Sequence, residues 1–150
     1  WAVEVIIDGI ERNDLVFPNG WNYLNERIDR LQIEDEESKY LFIPAESRPI
    51  LLNREEFNVR QLPYINLSTT SFIGNQFSSD YLLVTTIKGV YLTSLINTGS
   101  SFYAKQFDGM IVDSNFLNED TIEIQYRKFK KDSHEDLTCQ VGLDEFVAID

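Results

Sequence analysis

The sequence predicts an α+β domain, with one main N-terminal helix packed on a mostly antiparallel β-sheet. Three observations lead there. Trp21, Leu24, Ile28 and Leu31 recur at i, i+3, i+7 and i+10, which places them on one face of a helix over 20–32. From residue 80 onward, apolar and polar residues alternate with the period of a strand. Segments 81–87 and 90–96 flank Lys88-Gly89, the chemistry of a tight hairpin.

Taken in order, residues 1–7 are rich in Val and Ile and predict a strand buried on one side. Residues 10–16 predict a short turn of helix. Pro18-Asn19-Gly20 is a break, and Asn19 can cap the helix that follows. On that helix Glu26 and Arg30 stand at i, i+4 on the polar side. The acidic run Glu34, Asp35, Glu36 and Glu37 ends it as a solvated loop. Residues 39–43 predict a strand stopped by Pro44, and 49–52 a second short strand. Segment 53–64 is ambiguous: Phe57 and Leu62 are apolar, and Pro63 closes it. The Ser, Thr and Asn residues between 66 and 79 predict an extended loop or a weak edge strand.

The hairpin at Lys88-Gly89 comes next, then a turn at 97–100. Short strands are predicted at 102–107 and 110–112, around Asp108-Gly109. In 121–129, Ile122, Ile124 and Tyr126 face one side, and Glu123, Gln125 and Arg127 the other. Residues 130–136 predict a charged turn. Leu137, Cys139, Val141 and Leu143 alternate again, and 146–149 is a last short apolar run.

Composition narrows the function classes. The chain has 150 residues, 13 Lys and Arg against 25 Asp and Glu, and a net charge of −12. Residues 1–75 hold 7 basic and 13 acidic side chains; residues 76–150 hold 6 and 12. Each half therefore carries −6, and the negative field belongs to the whole chain. Such a field repels a phosphate backbone, which argues against direct nucleic-acid binding. A single cysteine, Cys139, rules out an internal disulfide framework and fits a reducing, cytoplasmic compartment. The apolar runs are only a few residues long, where a membrane-spanning helix needs about 20; no membrane partner is expected. With 43% apolar and 13% aromatic residues, the chain can build a core. The expectation is a single domain over 1–150, with an accessory domain of a larger protein as a further reading.

Two constellations bear on chemistry. In Phe107-Asp108-Gly109-Met110-Ile111-Val112, an Asp opens a short strand. Fifteen residues later, Glu123 and Gln125 share one face of the next strand. Carboxylates converging from adjacent strands can hold a divalent cation that activates water for phosphate cleavage. Over residues 106–128 this pattern resembles the PD-(D/E)xK nuclease superfamily. The resemblance implies Asp108 and Glu123 as ligands of Mg²⁺ or Mn²⁺, and places Gln125 where the family has its lysine. Gln125 can orient a water but brings no positive charge, and Arg127 shares the Glu123 face. The family's acidic helix directly before this sheet has no counterpart here.

The second constellation is aromatic and acidic. Trp21 and Tyr23 are near neighbours on the predicted helix, followed closely by Glu34, Asp35, Glu36 and Glu37. Exposed aromatics ringed by acids suit docking on a basic protein. His134 is the sole histidine, and there is no Gly-x-Ser-x-Gly elbow, so no hydrolase triad is singled out. Cys139, within an alternating apolar stretch, reads as a buried, inert thiol. The favoured expectation is a non-enzymatic, acidic protein-interaction module that neutralises or docks on a basic partner. In size and charge it resembles the bacterial immunity proteins. A metal-dependent nuclease-like domain is the alternative.

Overall fold

The computed structural model describes residues 6–7, 10–11, 39–44, 49–56, 58–63, 65, 72–97 and 101–149. Among these, every regular element is a strand except one three-residue 3₁₀ turn, Leu143–Glu145. The α+β expectation is therefore corrected to a mainly β architecture. The predicted helix over 20–32 lies outside the described residues. Within the predicted helical turn at 10–16, Ile10–Glu11 is instead strand β2, paired with β1 (Ile6–Ile7).

Three further antiparallel sheets follow. The first joins β3 (Tyr40–Ile43), β4 (Ile50–Asn53) and β5 (Asn58–Gln61) in sequence order. The second has five strands: β6 (Phe72–Phe77), β7 (Tyr81–Thr86), β8 (Gly89–Ser94), β9 (Tyr103–Gln106) and β13 (Val147–Ala148). Its spatial order is β13-β9-β8-β7-β6. The third joins β10 (Met110–Phe116), β11 (Thr121–Phe129) and β12 (His134–Gly142).

Alternation along β7 and β8 explains how the layers stack. Leu82 and Val84 point to one face of the five-stranded sheet, where they pack with Phe42, Leu51, Leu62 and Ile65. Leu83, Val90 and Leu92 point to the other, where they meet Ile111, Ile122, Ile124, Val141 and Phe146. The five-stranded sheet thus has an apolar core on each side. This is why Leu82 to Thr86 are all buried and why the strand reads as a near-continuous apolar run. Each such fully buried Leu, Ile or Val contributes on the order of 1.5–3 kcal/mol relative to exposure.

Polar groups that enter these layers are matched. Thr85 and Ser114, both buried, hydrogen-bond through their side-chain hydroxyls and so tie β7 to β10. The β7–β8 turn closes on the Thr86 hydroxyl. It donates to the Gly89 carbonyl at 2.9 Å and accepts from the Gly89 N–H at 3.1 Å. Asn53 ends β4 by accepting from the N–H groups of Glu55 and Glu56, both at 3.0 Å. β10 touches β8, β7 and β6 in turn. Its Ile111 N–H donates to the Ile87 carbonyl at 2.9 Å, and its Phe116 N–H to Gln76 Oε1 at 2.7 Å. These bonds fix the third sheet against the second.

Candidate functional site

The surface positioned best by this architecture is the β10–β12 sheet. Its inner face carries Ile111, Ser114, Ile122, Ile124 and Val141 into the core. The outer face follows from register. Glu123 stands between Asn115 and Gln140, Gln125 between Asp113 and Thr138, and Arg127 beside Asp136. The expected sidedness of 121–129 is observed.

The register also settles where the metal-site candidates stand. Asp108 lies in the turn before β10, beside Gly109 at φ +151°. The first β10 residue, Met110, pairs with Arg127, whereas Glu123 pairs with Asn115. Four ladder steps, about 14 Å at 3.4 Å per residue, separate those two rows. Glu123 and Gln125 share the outer face with Asp113, and Asp108 is at the far end of the strand. Among the described residues, no group of three or more His, Cys, Asp or Glu side chains is placed to hold a metal ion.

Acidic groups do come together at the opposite end of the sheet. The β10–β11 turn carries Glu119 and Asp120, and the 3₁₀ turn carries Asp144 and Glu145. Thr121 pairs with Gly142, and the Leu143 N–H donates to the Asp120 carbonyl at 3.0 Å, so the two turns lie side by side. Local chemistry shapes each one. Asn118 Oδ1 accepts from the Asp120 N–H at 2.8 Å, and Glu145 accepts from the Gly142 N–H at 2.7 Å. Phe146 is buried in the core, while Leu117 and Val147 remain 43% and 71% exposed. The pairing of Glu119 and Asp120 with Asp144 and Glu145 was missed from sequence. A hairpin turning at 130–133 brings 120 beside 143, and that turn position was the available signal.

Trp21, Tyr23, Glu34, Asp35, Glu36 and Glu37 lie outside the described residues. Cys139 stands opposite Ile124 and packs against the second core. Burial pushes its thiol above the usual range, which disfavours the reactive thiolate. At the other end of the sheet, Arg127 Nε donates to Asp136 Oδ1 at 2.7 Å. That hydrogen bond holds the Asp136 carboxyl below its ordinary value and the Arg127 guanidinium above its own. No described helix is long and apolar enough to cross a membrane. No protein-family model, curated protein or solved structure matches this chain.

Proposed function

We propose that this chain is a non-enzymatic interaction domain that docks on, or neutralises, a basic protein partner. The observation that carries this reading is the net charge of −12, together with exposed apolar side chains beside acids at one end of the β10–β12 sheet. A negative field of this size speeds encounter with a basic surface and selects it by charge complementarity. Leu117 and Val147 supply apolar contact area next to Glu119, Asp120, Asp144 and Glu145. The residues Trp21, Tyr23, Glu34, Asp35, Glu36 and Glu37 form a second candidate contact set in the same reading.

The test is affinity capture by the whole chain at low and high salt. Two neutralised variants serve as controls. One carries Glu119→Gln, Asp120→Asn, Asp144→Asn and Glu145→Gln. The other carries Glu34→Gln, Asp35→Asn, Glu36→Gln and Glu37→Gln. A basic protein held by the native chain, released by salt and lost by either variant supports the reading. Capture indifferent to salt and to both sets of substitutions overturns it.

A further inference from the structure

The β11–β12 hairpin tip reverses the sign of the molecule. Residues 127–136 carry Arg127, Lys128, Lys130 and Lys131 against Asp132, Glu135 and Asp136, a net of 4 − 3 = +1. The other 140 residues then carry −13. Four of the six basic residues in 76–150 stand within this one short stretch. The Lys130 N–H donates to the Ser133 carbonyl at 2.8 Å, closing the turn.

At this tip Phe129 is 65% exposed on the outer face of the sheet. It pairs across the hairpin with His134, the ring centres 6.4 Å apart and the planes tilted by 60°. Arg127 follows on the same face, and Lys131 stands at the exposed apex of the turn. Lys130 is engaged with Glu135 at 3.4 Å and Arg127 with Asp136, but no ion pair forms on Lys128 or Lys131 among the described residues. An exposed ring pair flanked by cations is a contact surface whose apolar centre and charged rim match those of small protein interfaces.

We infer that the Phe129–His134 tip is a docking site for a short acidic segment of a partner protein, one that carries an apolar residue between its carboxylates. Charge complementarity selects the acidic occupant: carboxylates meet Lys131 and the Arg127 guanidinium while the apolar residue covers Phe129; Lys128, one residue before Phe129 on the strand, is on the opposite face. Size selects a short one. The positive region is one hairpin wide, and the field of the remaining −13 acts beyond it, so an extended polyanion or a charged lipid surface meets repulsion past the tip. This site is separate from the acidic end and does not depend on the proposed basic partner.

The experiment is an amide chemical-shift titration of the whole chain with a ten-residue acidic peptide of Asp and Glu around a central Leu. An oligothymidylate and vesicles rich in phosphatidylserine are titrated in parallel. Saturable shifts confined to 127–136 are expected with the peptide. Phe129→Ser and Lys131→Glu should each weaken binding by about fivefold or more, a loss typical of a contact residue in a small charged interface. Both positions are exposed, and unchanged core resonances will show that the fold is intact. Absence of peptide shifts at the tip overturns the inference. So does tighter binding of the oligonucleotide or the vesicles, which would make the tip a polyanion or membrane contact.

Discussion

The Thr85–Ser114 hydroxyl pair is the sharpest test of how the layers are joined. It is buried between β7 and β10, and each hydroxyl has only the other as a side-chain partner among the described residues. Thr85→Val keeps the shape of the side chain but leaves the Ser114 hydroxyl buried without its bond. An orphaned buried hydroxyl costs about 1–3 kcal/mol. For a chain of this length that lowers the melting midpoint by about 2–12 °C. Ser114→Ala strands the Thr85 hydroxyl in the same way and should cost a similar amount. Combining the two substitutions removes both polar groups, so the double variant should be more stable than the two losses added together. A coupling energy of about 1–2 kcal/mol is expected from a double-mutant cycle in urea or by thermal melting. Strict additivity, within about 0.5 kcal/mol, would mean that the two hydroxyls do not meet and that β10 does not cross β7 as described.

Three further outcomes are expected. Gly109→Ala should destabilise the chain by about 1–3 kcal/mol in denaturant melts, because φ is +151° and a Cβ there would lie 2.6 Å from the Arg127 carbonyl oxygen. Asp136 should titrate below its ordinary value of 3.8 because Arg127 hydrogen-bonds its carboxylate, and Arg127→Gln should return it towards that value in a carboxyl NMR titration. The pair's contribution is therefore whole above the ordinary aspartate range and is lost as pH falls through the lowered folded value. Millimolar Mg²⁺ or Mn²⁺ should leave the melting midpoint unchanged in the native chain and in Asp108→Ala alike, since the register separates Asp108 from Glu123; a metal-dependent rise lost in the variant would show a site that binds only the folded form.

The strands with strong alternation were legible in the sequence. The β7–β8 hairpin and β11 fall close to their expected places, because β-branched and aliphatic residues at period two fit a half-buried or buried sheet. Other strands owe their state to their neighbours. β6 reads Phe-Ile-Gly-Asn-Gln-Phe, a weak pattern, and it is held as an edge strand by the ladder to β7. The first residues of β12, His134, Glu135 and Asp136, look like a charged turn. They are drawn into the sheet by their cross-strand partners Phe129, Lys128 and Arg127, and Lys130 adds an ion pair to Glu135. The same pairing hides the acidic end, because the turns carrying Glu119 and Asp120 and carrying Asp144 and Glu145 are distant in sequence and come side by side only through the β11–β12 register. Sidedness of Glu123 and Gln125 was readable from alternation. The position of Asp108 along its strand was not, since β10 extends to Phe116 and a bulge shifts its register between Ile111 and Asp113.

The most direct test of the interaction reading is the association rate of the captured basic partner as a function of ionic strength. Electrostatic steering predicts that the rate falls by about tenfold or more between about 50 and about 500 mM salt while dissociation changes little. It also predicts that neutralising Glu119, Asp120, Asp144 and Glu145 flattens that dependence. A rate equally fast at all salt concentrations, and unmoved by those substitutions, would contradict the account.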